Sequence, residues 1–145
     1  METPEDGFFR VLADAHAEAR QAFARHVGMS ESRLRLLMWL RNNGETSHSD
    51  LRQSLSLDGA TVTRLVEQFE ARGAVGCRVD PRNNHYTLAR PTPAGESTAA
   101  ELARAHRVYM ERLLHGVTPQ ERQTALGVPA RMSANATRVA ADPAG

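Results

Sequence analysis

The chain has no lysine and no isoleucine, one cysteine, one tryptophan, and aromatics at only 5% of its 145 residues. Without lysine, all 18 strongly basic side chains are arginine. Each is therefore a planar guanidinium suited to bidentate contact with a phosphate or a guanine edge. A single Cys77 excludes an internal disulfide framework and an all-cysteine metal site. No apolar run approaches the roughly 20 residues of a membrane helix. The N-terminal stretch Met1–Asp6 is acidic and lacks the hydrophobic core of a signal peptide, so a cytoplasmic location is expected. The six histidines form no pair at helical spacing. No metal site is expected from them; one would need assembly across helices or subunits, for example from His106 or His115. Gly-rich phosphate loop, His-Glu-x-x-His and nucleophile elbow are all missing, which argues against an enzyme and implies no cofactor.

What is present is ordinary globular material. Hydrophobic residues make up 41% and charged residues 24%, with a net charge of +1. The length suits one domain, or one domain with an appendage. A charge so near zero neither demands nor excludes a nucleic-acid partner, so the distribution of the arginines must decide.

Apolar residues from Phe8 to Val27 recur at steps of three and four, predicting an amphipathic helix that Gly28 stops. Ser30 caps a second helix, Glu31 to Arg41. Ser47 or Ser49 caps a short third carrying Leu51 and Leu55, and Asp58 caps a fourth, Gly59 to Arg72, which Gly73 ends. Two stretches of strand formers, 74–79 and 85–90, flank the turn residues Asp80-Pro81-Arg82-Asn83-Asn84 and predict a β-hairpin. Thr92-Pro93 starts a long helix to about Leu114, and Thr118-Pro119 starts a last helical segment. Gly127 and Pro129 should divide that segment in two or kink it. The tail Asp142–Gly145 should fray.

Helix, helix, short helix, helix and hairpin, in that order, make a mainly α winged helix-turn-helix. Its fourth helix suits a major groove. Val62, Leu65, Val66 and Phe69 take one side of that helix, leaving Thr61, Thr63, Arg64 and Gln68 mostly elsewhere. Thr offers a hydroxyl to phosphate or a methyl to thymine, and Arg64 suits guanine O6 and N7. An ordinary exposed helix face would carry the same residue types, and that reading stays open. Arg78 and Arg82, at the base and tip of the hairpin, favour a nucleic-acid partner, since both can reach phosphate or a minor groove.

Leu57-Asp58-Gly59-Ala60-Thr61-Val62-Thr63-Arg64-Leu65-Val66, then Glu70-Ala71-Arg72-Gly73-Ala74-Val75, Asp80-Pro81-Arg82 and Thr92-Pro93-Ala94-Gly95, resemble the MarR family of transcriptional regulators. The resemblance runs from the first helix to the last. It implies a homodimer whose terminal helices interlock, binding a palindromic double-stranded DNA operator as a repressor released by a small phenolic or anionic ligand. By position, Thr61, Thr63 and Arg64 would enter the major groove, Ser49 and Arg52 would hold phosphate, and the wing would enter the minor groove. Asn83, Asn84 and His85 stand where the family has acidic and then basic residues, so Arg82 or His85 must supply the minor-groove cation.

The resulting division is 29–92 for the DNA-binding lobe, with 1–28 and 93–145 for dimerisation. Family members place effectors between these regions, which points to His16 and Arg20, one helical turn apart, and to Trp39 as a stacking surface. Against this, Trp39 suits the core and Arg20 a solvated surface. Two alternatives remain: a winged-helix protein-interaction module without DNA binding, and a redox-responsive regulator acting through Cys77.

Overall fold

The computed structural model describes residue 1 and residues 3–142. The chain separates into two compact units, Met1–Met110 and Glu111–Gly145.

Helix starts follow local capping chemistry. Helix α1 (Pro4–Val27) begins at Thr3, whose hydroxyl accepts from the Asp6 N–H at 3.1 Å while the Thr3 N–H donates to the Asp6 carboxylate at 3.1 Å. This capping box starts the helix ahead of the expected Phe8, because the cap and not the apolar period sets the first turn. Ser30 caps α2 (Glu31–Asn43), Ser47 rather than Ser49 caps α3 (His48–Leu55), and Asp58 caps α4 (Gly59–Ala71). Gly73, at φ 73°, turns the chain out of α4 in the left-handed region that glycine enters without strain.

The hairpin is tighter than its turn residues suggested. Strands β2 (Val75–Asp80) and β3 (Asn83–Pro91) pair antiparallel, leaving Pro81 and Arg82 between them. Two local bonds shape this tip: Arg82 N–H to Asp80 Oδ1 (2.9 Å) and His85 N–H to Asn83 Oδ1 (3.1 Å). A third strand, β1 (Thr46–Ser47), was not expected. It pairs with β3 at Ala89 and Leu88, giving the antiparallel order β1-β3-β2.

Leu36, Leu37 and Leu40 of α2, Leu51 and Leu55 of α3, and Val62, Leu65, Val66 and Phe69 of α4 form the core with Val75, Ala89 and Ala99. Each large apolar side chain among them contributes roughly 1.5–3 kcal/mol of burial. The expected apolar side of the fourth helix is thus the buried side, and its opposite edge is left outward. Helix α1 meets α5 (Pro93–Leu113) through Phe23, whose ring lies 5.0 Å from His106 and 5.2 Å from Tyr109, and through a 2.6 Å bond from the Tyr109 hydroxyl to the Ala19 carbonyl.

The second unit contains α6 (Pro119–Ala141), begun by a capping box between Thr118 and Glu121. The helix runs unbroken through Gly127 and Pro129, which overturns the two-piece alternative. Proline removes a single N–H, and the bonded turns on both sides carry the helix across it. Asp142 caps its end, and the rest of the tail expected to fray lies outside the described residues. Among the described residues, no helix is long and apolar enough to cross a membrane.

Candidate nucleic-acid interface

A cleft of ≈ 310 Å³ opens between α3, the start of α4 and the wing. His48, Ser49 and Arg52 line it from α3, Gly59 and Thr63 from α4, and His85, Tyr86 and Thr87 from β3. Helix and wing residues 22 or more positions apart in sequence therefore face one space. Glycine at position 59 matters here. The Arg52 stem lies across it, and a Cβ would stand 3.4 Å from Arg52 Cδ. That contact brings a guanidinium to the first turn of α4, next to the N-terminus that the Asp58 carboxylate caps.

Ser49, Arg52, Thr63, Arg64, Arg82 and His85 are all exposed. Thr61 is half-buried, and its hydroxyl donates to the capping Asp58 carboxylate at 2.8 Å. Its methyl and its oxygen lone pairs remain for another partner. The bonds from Thr61 hold the Asp58 carboxyl below the ordinary carboxylate range, so it is charged at neutral pH and the cap is made.

Two expected contacts have partners inside the protein. Gln68 Oε1 accepts from Arg33 Nε (3.1 Å) and Nη2 (2.6 Å), which fastens α4 to α2 instead of pointing to solvent. Arg78 donates through Nε and Nη2 to both oxygens of Glu45 at 2.8 and 2.6 Å. A bidentate pair of this kind leaves little of the fork for phosphate. Neither partner was foreseeable, because each lies more than 30 positions away in sequence.

The ligand candidates are dispersed in chemistry. His16 is exposed on α1, and Arg20 pairs with Glu31 at 3.2 Å, tying α1 to the start of α2. Trp39 packs against the core, yet its indole Nε1 is buried with no hydrogen-bond partner. His48 was missed altogether. It follows the Ser47 cap directly and lines the cleft. Its Nε2 is likewise buried and unpartnered. Burial lowers its pKa, against the opposing pull of Glu67 and Glu70. Cys77 is half-buried, and burial first, then the hydrogen bond and charge of Glu70, push its pKa up to about 11. Among the described residues no cluster of three potential metal ligands occurs.

A family model described as the MarR family matches residues 29–84. YdgJ of Bacillus subtilis, an uncharacterised HTH-type transcriptional regulator, is 36% identical over 115 residues, covering 79% of this chain and 70% of that protein. BpsR of Bordetella bronchiseptica, whose DNA binding is regulated by 6-hydroxynicotinic acid, superposes with a TM-score of 0.71 at 23% identity, over 86% of this chain and 91% of that one. A MarR variant of E. coli complexed with operator DNA gives 0.74 at 15% identity, over 87% and 93%. At such identities the two structures establish the fold alone.

Proposed function

Because the chain belongs to the MarR family of transcriptional regulators, we propose that it is a homodimeric, sequence-specific DNA-binding repressor whose two α4 helices read a palindromic operator. The observation that carries this reading is the shared cleft. Arg52 and Ser49 stand beside the α4 N-terminus, Thr63 lies on α4 and His85 comes from the wing, all facing one space. Arg52 and Ser49 hold backbone phosphate, Thr61, Thr63 and Arg64 meet base edges, and Arg82 or His85 follows the minor groove. Gln68 and Arg78 act within the protein, the first by seating α4 on α2 and the second by bracing the wing against Glu45.

Dimerisation is proposed from apolar surface that one chain leaves uncovered. In α1, Phe8, Phe9, Val11 and Leu12 are 42–59% exposed, and in α6 Leu126 and Val139 are 75% and 73% exposed. Neither helix contains a buried residue among those described. Helices of this length gain most of their stability by packing an apolar side, so a second copy is the natural cover. Residues 1–28 and 93–145 then serve the dimer and 29–92 the DNA. Two-fold symmetry sets the half-sites about 34 Å apart, roughly one helical turn.

Release by a small aromatic anion is proposed from Trp39, whose buried indole N–H has no partner, with His16 on the neighbouring helix. The 6-hydroxynicotinic acid that regulates DNA binding by BpsR belongs to that chemical class. The experiment has two steps. A pool of random duplexes, together with the DNA flanking the protein's own gene, is selected for binding. The selected duplex is then challenged with a panel of phenolic and anionic aromatic acids. A symmetric selected sequence, and its release by a member of the panel, are expected. Failure to enrich any duplex would leave the protein-interaction alternative in its place.

A further inference from the structure

We infer that Thr92 and Gly95 form a rigid joint that fixes the tilt of α4 relative to α5, which makes them positioning residues for operator recognition; this rests on the DNA-binding reading above. The observations start at the end of α4. The Gly73 N–H returns to the Glu70 carbonyl at 2.9 Å, and the Ala74 N–H returns to the Phe69 carbonyl at 2.9 Å. The Gly73–Ala74 backbone is thereby closed onto the last turn of α4 and moves with it. Thr92 then grips both residues. Its hydroxyl donates to the Gly73 carbonyl at 2.5 Å, and its N–H donates to the Ala74 carbonyl at 3.0 Å. The same hydroxyl oxygen accepts from the Gly95 N–H at 3.1 Å, so the residue that starts α5 is the residue that holds the end of α4.

Gly95 removes the remaining play. It is buried, and a Cβ built on it would overlap the Ala74 carbonyl oxygen and lie 2.9 Å from the Ala74 carbonyl carbon. The first turn of α5 rests directly on the peptide that closes α4, backbone on backbone. No flexible side chain stands between them to absorb a displacement.

Leverage makes the joint matter. Helix α4 has 13 residues, and at 1.5 Å per residue it spans about 20 Å. Its base-facing residues Thr61, Thr63 and Arg64 lie toward the end remote from the joint. A tilt of about 6° at Gly73 moves that end by about 2 Å, beyond the few tenths of an ångström that a good hydrogen bond tolerates. In the proposed dimer, α5 belongs to the symmetric half of the molecule, so the joint also sets the separation of the two α4 helices.

The test compares Gly95→Ala and Thr92→Val with Thr92→Ser, which keeps the hydroxyl. Each variant is assayed as the full chain on the duplex selected by the parent, on a random duplex of equal length, and by fresh selection from the random pool. Gly95→Ala and Thr92→Val are expected to lose roughly thirtyfold or more on the selected duplex, the scale of one degraded base contact in each of the two chains. They should stay within about twofold on random DNA, where phosphate contacts dominate. Fresh selection should return the same half-sites at a changed spacing, and Thr92→Ser should restore the parental spacing. Unchanged affinity and spacing in both variants would overturn the joint. So would equal losses on selected and random DNA in Thr92→Val, the milder change, since that pattern marks a damaged fold. A parent that enriches no duplex would overturn the DNA-binding reading itself, a result distinct from either.

Discussion

Replacing Arg64 by Ala isolates the base-reading part of the account. Arg64 is exposed in the second turn of α4 and, among the described residues, has neither an ion-pair nor a hydrogen-bond partner. Its removal therefore breaks nothing inside the subunit, and any effect on DNA is direct. A bidentate arginine–guanine contact is worth ~1–3 kcal/mol of discrimination. A symmetric dimer makes the contact twice, so the loss on the selected duplex is about 2–6 kcal/mol, or roughly thirtyfold to twenty-thousandfold. On random duplex only a loosely placed charge is lost, and affinity should fall by no more than a few-fold at moderate salt. Fluorescence anisotropy on both duplexes over a range of salt concentrations measures the two numbers, and thermal unfolding without DNA should be unchanged. Equal losses on both duplexes would refute the reasoning and make Arg64 a phosphate contact.

Further tests address the wing, the thiol, the buried histidine and the uncovered helices. Arg82→Ala should weaken binding to most sequences alike and lower the salt slope by about 2, one phosphate per wing of the dimer; an unchanged slope would remove the wing from the DNA. With its pKa pushed up to about 11, Cys77 stays protonated at neutral pH, so peroxide should leave DNA binding untouched and thiol alkylation should be slow; rapid alkylation with loss of binding would restore the redox alternative. His48 has its pKa lowered by burial, so the unfolded chain binds its proton more readily. Stability should therefore decline as pH falls below the ordinary histidine value of 6.5 and level off once the folded form also protonates. His48→Gln should reduce that decline in acid-unfolding curves, and an identical pH profile would show that His48 does not contribute to it. Phe9→Asp and Leu126→Asp change side chains that are 56% and 75% exposed in the single chain; sedimentation should show loss of the dimer with helix content kept, and an unchanged mass would place the interface elsewhere.

Much of the fold was legible because its signals are local. Ser30, Asp58 and Thr118 cap helices by bonding N–H groups within three residues, and the apolar period of Val62, Leu65, Val66 and Phe69 described a side that is buried. What escaped was decided by distant partners. Strand β1 exists only because Thr46 and Ser47 meet Ala89 and Leu88, more than 40 positions on. Arg33 takes Gln68, Glu45 takes Arg78 and Glu31 takes Arg20, and no periodicity signals such pairings. Glycine and proline were harder still. Pro129 looked like a break, but the bonded turns around it hold the helix together. Gly95 was legible only as part of the Thr92-Pro93-Ala94-Gly95 motif, and the Ala74 carbonyl lying where its side chain would stand explains it.

The most direct test of the central claim is the mass of the complex with the selected duplex, combined with hydroxyl-radical cleavage of that duplex. Two chains per duplex, protecting two patches related by a dyad and about one helical turn apart, are predicted. One chain per duplex, or protection at a single patch, would contradict the paired presentation of α4.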